Sequence, residues 1–400
     1  MNQTISSNKE NRLTKFIIYL LFGLGPVTGN VILVLFGVLS TEFDVTPNAI
    51  LISIPAFMVP FAIIQLFSGA VSDVKGRFKV IIFGLIIFGL GMFTASASIS
   101  LLMFIIANIL GGIGFGFVNP VLIALITDIT PPGPEIPKKL GYLGAVAAFG
   151  VGLGPLIAGF TIQYSWRFLY FAIALIVILC LVILFIMKKP PQKKHEDSGV
   201  HALMQALKQE TRRPVVILMI TSAFLISFSY LAIIIWTSRA FTGKIEESLA
   251  GILLSLVGAA GAVSGLINGN LIKRLGVGLT LIISLIALFI STALLIFFGD
   301  VTRSENVIFV ALALIFAGIA GGILFPCIMY YSQIISPERR GALAGLSTAG
   351  YFMGIAIVPM TYEPFFLEGG INLVYSVILL VSIILTVNVG LLYFLAKKFK

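Results

Sequence analysis

The chain has 400 residues, of which 59% are hydrophobic and 10% are charged, and its mean hydropathy is +1.11. This composition excludes a soluble globular protein, because too little polar surface is available, and it predicts a polytopic membrane protein. The formal net charge of +10 does not indicate nucleic-acid binding, because the basic residues collect in the short segments between apolar stretches.

Charges, prolines and glycine-rich turns divide the sequence into twelve apolar spans. Each is long enough to cross about 30 Å of hydrocarbon as a helix. In chain order, spans 1 to 12 cover residues 16–39, 48–72, 80–98, 101–127, 139–163, 167–187, 214–238, 248–272, 278–299, 306–334, 341–362 and 371–396. We therefore predict an all-α polytopic protein with twelve transmembrane helices.

The distribution of basic residues predicts the orientation in the membrane. If the N-terminus is cytoplasmic, 22 of the 26 Lys and Arg residues fall in cytoplasmic segments. Only Arg167, Arg239, Lys244 and Arg303 fall on the other side. The positive-inside rule then places both termini in the cytoplasm of a multi-pass plasma-membrane protein. The lipid bilayer is therefore an expected partner, and a monomer suffices for the fold.

The connection between spans 2 and 3 has an altered copy between spans 8 and 9. Gly69, Asp73, Gly76 and Arg77 mark the first copy, and residues 269–276 form the second. In both copies a Gly ends an apolar segment, a charge follows four residues later, and a second Gly follows three residues after that charge. Such a repeat predicts two pseudo-symmetric six-helix bundles.

A hydrophilic segment divides the spans six and six. We predict a first bundle over residues 1–187, a cytoplasmic central loop with a short amphipathic helix over 188–213, and a second bundle over 214–400. The only two histidines, His195 and His201, lie in this loop. They are interpreted as solvated loop residues and not as proton carriers.

Charged residues at the cytoplasmic ends of spans 2, 4 and 11 form a candidate conformational gate. Asp128 ends span 4, where a carboxylate opposes the helix dipole and needs a cation, and Arg77 is the candidate partner. A Ser-Pro pair precedes Arg340 at the start of span 11, which leaves unpaired amides at a positive dipole end. Asp73 is expected to dock there when the inner side is closed.

Span 5 carries a regular series of small residues. Gly141, Gly150, Gly154, Pro155 and Gly159 occur at fixed spacings along it. Glycines permit a close helix crossing, and the proline removes one backbone hydrogen bond so that the helix can bend. Simple helix packing would also account for this series.

The spans carry few polar residues that could line a central cavity. No Asp, Glu, His, Lys or Arg lies at the centre of any span. Amides and aromatic rings suit a neutral or weakly charged amphipathic molecule. The candidate lining residues are Asn30, Asn108, Asn119, Tyr230, Trp236, Tyr330 and Tyr351. Each of them alone would also suit an ordinary helix contact.

The span count, the central loop and the turn after Gly69 together resemble the major facilitator superfamily across nearly the whole chain. The family signature for this turn is Gly-x-Leu-x-Asp-Arg-x-Gly-Arg-Lys. Four residues match it, whereas Val74 and Phe78 stand where the signature has basic residues. The resemblance implies the major facilitator fold, and it implies that Asp73 docks against the second bundle.

Span 5 is similar to the motif of the drug:proton antiporter branch, and only Ala158 departs from it. In that branch span 4 usually carries an arginine, but this chain has Asn108 at that position. If protons are coupled, the candidate carriers are Asp128 on the inner side and Glu42, Asp44 or Glu363 near the outer ends.

These patterns favour a secondary exporter of small amphipathic or hydrophobic compounds that works by alternating access, with proton exchange as an open question. An uptake or facilitative carrier for a neutral metabolite or sugar, a lipid flippase and a non-transporting sensor remain alternatives. A membrane enzyme is disfavoured because no reactive constellation lies at membrane depth. No phosphate-binding Gly-x-x-x-x-Gly-Lys-Ser/Thr sequence is present, so neither ATP, another cofactor nor a metal is expected.

Overall fold

The computed structural model describes residues 2–131, 135–187, 207–336 and 339–397. Within these ranges the chain is helical apart from short connections. Of the predicted central loop only residues 207–213 are described, and residues 207–210 are helical. Both histidines and Pro337 lie outside the described residues.

Ten helices in the described ranges are long and apolar enough to cross a membrane. Each corresponds to one or two of the predicted spans, and a short helix (Pro47–Ile50) lies at the start of span 2. The bounds are Asn2–Glu42 for span 1, Ser53–Lys75 for span 2, Arg77–Ser96 for span 3, Leu101–Asp128 for span 4, Glu135–Thr161 for span 5, Arg167–Ile186 for span 6, Pro214–Phe241 for span 7, Glu247–Phe298 for spans 8 and 9, Asn306–Ile334 for span 10 and Arg340–Ala396 for spans 11 and 12.

Two of these helices are too long to be single spans. They have 52 and 57 residues, which corresponds to about 78 and 86 Å of helix, far more than the roughly 30 Å of a bilayer core. Each contains one non-helical glycine, Gly276 with φ 77° and Gly370 with φ 66°. Glycine adopts positive φ without steric cost. The two breaks therefore divide these helices into four spans, and the described chain has the twelve predicted spans.

Gly76 is the counterpart of Gly276 in the first half of the chain. It has φ 94° and separates span 2 from span 3 without an intervening loop. The second glycine of each repeated turn is thus required by the backbone, because a side chain is strained at positive φ.

The connections alternate between the two ends of the helix bundle. We call the end with Gly76, Gly276 and the last described residue, Lys397, the terminal end, and the other end, with residues 43–46 and 242–246, the distal end. Spans 6, 9 and 12 expose large apolar side chains such as Phe185, Ile282 and Leu391. These faces suit contact with lipid, as the aliphatic sequence of the three spans predicts.

Candidate functional site

The guanidinium of Arg77 holds two carboxylates at the terminal end. Its Nη2 lies 2.5 Å from Asp73 Oδ1, and its Nε donates a 3.0 Å hydrogen bond to Asp128 Oδ2. Nη1 donates to Ser72 Oγ at 2.5 Å. Arg77 is only 7% exposed, so the charges are largely removed from water and depend on each other. The structure thus brings together the ends of spans 2 and 4 and the start of span 3.

The start of span 11 belongs to a different charged cluster. Glu210 is 5% exposed, and it accepts from Arg213 Nη1 at 2.8 Å and from Arg339 Nη1 at 3.2 Å. This carboxylate therefore joins the segment before span 7 to the first turn of span 11. Among the described contacts Asp73 pairs with Arg77, and Arg340 at the start of span 11 is not brought to Asp73.

Several glycines show that the spans stand apart at the terminal end. A methyl group added to any of these residues would meet no atom of the described residues within 4 Å, apart from its own turn of helix. They are Gly69 of span 2, Gly141 and Gly144 of span 5, Gly269 of span 8, and Gly341 and Gly345 of span 11. Glycine-rich helix faces usually pack closely. The open space beside them therefore indicates that the two halves of the chain are separated at this end.

At the distal end the halves are in close contact through spans 5 and 8. A methyl group on Gly152 would lie 2.7 Å from the carbonyl oxygen of Ser255, and one on Gly258 would overlap the backbone of Gly152. One on Gly159 would lie 2.6 Å from the carbonyl oxygen of Glu247. We call this contact of Gly152 and Gly159 with Gly251 and Gly258 the glycine seam. Its backbones approach closely because no side chain lies between them.

The predicted small residues of span 5 are divided between two faces of the helix. Gly150 and Gly154 face span 1, where added methyl groups would lie 2.7 Å from the Gly23 carbonyl oxygen and 2.5 Å from that of Val27. The carbonyl of Pro155 and the backbone of Gly159 face Gly251 of span 8. Gly141 faces open space. The motif therefore supplies both a contact within the first half and a contact between halves.

Two hydrogen bonds also cross between the halves at the distal end, and both start from adjacent residues of span 7. Arg239 Nε donates to Asn48 Oδ1 at 2.7 Å. Ser238 Oγ donates to the carbonyl oxygen of Leu33. The charged side chain of Arg239 thereby holds the start of span 2. Nothing in the sequence indicates this pair, because the two residues are 191 positions apart.

Aromatic rings meet between the halves near the middle of the spans. The ring centroids of Phe61 on span 2 and Phe352 on span 11 are 4.5 Å apart and edge to face. Phe115 stacks on Phe61 at 5.7 Å, and Tyr351 lies 4.3 Å from Phe325. Such pairs are favourable and uncharged. They form an aromatic partition between the terminal-end opening and the closed distal end.

The predicted lining residues are only partly gathered around this partition. Tyr351 belongs to it, and the ring of Tyr230 packs on Gly321 of span 10. Trp236 is instead fully buried against Phe366, with centroids 5.0 Å apart. Tyr330 is half-buried beside Tyr331.

Two of the three predicted amide side chains donate hydrogen bonds to backbone carbonyls of their own helices. Asn30 donates to the carbonyl of Pro26 and Asn108 to that of Phe104, both at 2.8 Å. Asn119 is half-buried in span 4. Sequence reasoning missed Gln65, which is 7% exposed and whose Nε2 has no hydrogen-bond partner. It lies one helical turn from Phe61 on the same face of span 2. This four-residue spacing could have identified Gln65 as a lining residue.

Twelve spans that meet at one end, stand apart at the other and share an uncharged aromatic interior define the fold of a secondary transporter. The family model described as Major Facilitator Superfamily matches residues 16–359 and 244–400. The chain belongs to this superfamily, which confirms the family predicted from the turn after Gly69.

Characterised relatives and a solved structure agree with this assignment. The quinolone resistance protein NorA of Staphylococcus aureus (strain COL) is 27% identical over 391 residues, covering 94% of this chain and 97% of that protein. Multidrug resistance protein 2 of Bacillus subtilis (strain 168) is 26% identical over 313 residues, covering 75% and 76%. A mutant of the nucleoside transporter NupG has the same fold, with a TM-score of 0.78 at 12% identity over 95% of this chain and 100% of that one.

Proposed function

We propose that this transporter exports small amphipathic or hydrophobic compounds by alternating access, from a terminal end that faces the cytoplasm of the cell to a distal end that faces outward. The main support is the glycine seam, which closes the distal end while glycines at the terminal end face open space. The similarity to NorA and to a multidrug resistance protein supports drug-like substrates. The positive-inside charge pattern supports the orientation.

The aromatic partition is proposed as the substrate-binding region. Phe61, Phe352 and Tyr351 offer ring faces and edges, and Gln65 offers an amide donor that has no protein partner. A buried donor without a partner is unfavourable, and a ligand acceptor would relieve that cost. Because no Asp, Glu, His, Lys or Arg lies at the centre of any span, a neutral or weakly charged aromatic compound fits this region best.

Proton exchange is a further part of the proposal, and the candidate carriers differ in their surroundings. Asp128 is held by Arg77, and Glu42 lies 2.9 Å from Arg167 Nη2. Glu363 lines a cleft between the halves at the distal end. A group that lies between moving halves changes its surroundings during transport, as a coupling group must.

The decisive experiment measures efflux in cells that lack their own exporters. We expect this chain to lower the accumulation of neutral and weakly basic aromatic compounds and to raise resistance to them. Accumulation equal to that in empty-vector cells across a broad panel would contradict export. In proteoliposomes, flux that merely equilibrates the compound regardless of a proton gradient would contradict antiport and support a facilitative carrier.

Shortening Phe61 tests the proposed binding region. Phe61→Ala removes an edge-to-face contact and much apolar ring surface, so the KM for aromatic compounds should rise about tenfold with a smaller change in maximal rate. Phe83→Ala is the matched control, because Phe83 pairs with Phe117 at 5.3 Å on the exposed side of span 3. Equal effects of both variants on the KM would contradict the assignment.

Neutralising Asp73 tests the gate. Asp73→Asn should lower transport roughly 5- to 30-fold, because a carboxylate at a helix start contributes about 1 to 2 kcal/mol to closure of the terminal end. Expression should remain near normal, since Arg77 retains Asp128. Lys79→Gln is the control for charge removal on the same turn. Unchanged flux in the Asp73 variant would refute the gate.

A further inference from the structure

Arg239 has a neutral hydrogen-bond partner at the distal end and packs on the helix that carries a carboxylate, Glu363. Its Nε donates to Asn48 Oδ1 of the first half at 2.7 Å. Glu363 of span 11, in the second half, lines the same cleft as Asn48 and lies one helical turn before Phe366. The guanidinium carbon also lies 5.1 Å from the centroid of Phe366. An arginine in this position is costly to leave unpaired, because it is half-buried.

Asn48 and Glu363 belong to parts of the molecule that must separate in alternating access. Asn48 and Glu363 line opposite walls of a cleft of about 280 Å³ at the distal end. Span 7 and span 11 are in the same half, and span 2 is in the other. When the distal end opens, Asn48 moves away from Arg239, whereas Glu363 moves with it.

We infer that Arg239 is a switch residue that exchanges Asn48, its partner in the distal-closed state, for Glu363 in the distal-open state. This inference rests on the proposed alternating access, and it names the residues that control opening of the distal end. Glu363 supplies the charge that makes the exchange possible, since a guanidinium without Asn48 would otherwise keep no strong acceptor. Two other carboxylates of this end have partners of their own: Glu42 pairs with Arg167, and Asp300 accepts a hydrogen bond from Thr302.

This arrangement makes Asn48 a position where substitutions act in opposite directions. Asn48→Asp converts a hydrogen bond into a charge-assisted one and should shift the population about tenfold toward the distal-closed state. Asn48→Ala removes the acceptor and should shift the population toward the distal-open state by a few fold. Glu363→Gln weakens the alternative partner and should act in the same direction as Asn48→Asp.

The experiment uses the purified full chain in lipid nanodiscs, with spin labels at the exposed positions Thr41 and Ser304 and with both native cysteines replaced. Double electron–electron resonance then gives the fractions of short and long distances across the distal end, without any transported compound. Gln163→Glu is the matched control, because it adds the same charge at an exposed distal site away from Arg239.

Opposite shifts for Asn48→Asp and Asn48→Ala, with Gln163→Glu unchanged, would support the switch. Identical fractions in all variants, or shifts of both Asn48 variants in one direction, would overturn it. The outcome is separable from that of the proposed function. If two distance populations are present but their fractions do not change when Asn48 is replaced, only the switch is rejected. If every variant shows a single population, alternating access is rejected as well.

Discussion

Gly258→Ala should reduce transport at least tenfold and shift the protein toward a distal-open state. A methyl group at this position would overlap the backbone of Gly152 and lie 2.9 Å from the Ala148 carbonyl oxygen. Overpacking of this kind typically costs about 1 to 3 kcal/mol. Because spans 5 and 8 belong to different halves, that cost falls on the distal-closed state and not on the folding of either half.

Gly265→Ala is the matched control for this prediction, since it lies seven residues further along the same span. There the added methyl group would lie 3.5 Å from the Gly322 carbonyl oxygen, an ordinary van der Waals contact within the second half. The measurement is efflux of a fluorescent compound, together with distances across the distal end. Equal activity of Gly258→Ala and Gly265→Ala would show that the glycine seam does not control closure.

Arg77→Gln should give the largest loss of stability among single substitutions at the terminal end. The variant leaves Asp73 and Asp128 close together without a cation, and removal of one partner from a buried ion pair costs about 3 kcal/mol or more. The yield of correctly folded protein and its resistance to heating in detergent should both fall. Size-exclusion chromatography after heating measures the surviving fraction.

A second substitution distinguishes uncompensated charge from lost packing. Asp128→Asn in the Arg77→Gln background removes one of the two stranded carboxylates, so the double variant should survive heating better than Arg77→Gln alone. Lys79→Gln, an exposed charge removal in the same span, should behave like the natural protein. A double variant that is less stable than Arg77→Gln would point to packing of the Arg77 stem as the main contribution.

Features that depend on local sequence could be predicted well. The pairing of Arg77 with Asp128 follows from a carboxylate at a helix end and a nearby basic residue, and the structure places them 3.0 Å apart. The glycine turns at Gly76 and Gly276 follow from the repeat. The twelve spans follow from hydropathy alone, because a bilayer requires continuous apolar helices.

Features that depend on the meeting of distant segments could not be predicted. The sequence predicts a cytoplasmic loop with a short amphipathic helix over residues 188–213, yet Glu210 in this segment is buried, because two arginines from different segments converge on it. Trp236 was expected in the cavity, but aromatic character does not indicate which side of a span faces the centre. The sequence also does not show which face of span 5 contacts the other half, since glycines occur on the face toward span 1 and on the face toward span 8.

The glycine seam has a consequence for genetics. The halves touch there through backbone atoms, which every residue type possesses. The close contact therefore depends on the absence of a side chain at four positions. Every amino-acid replacement at Gly152, Gly159, Gly251 or Gly258 adds atoms to a space that is already filled. In a random mutational scan we therefore expect these chemically inert positions to tolerate fewer alleles than the charged residues of the distal surface.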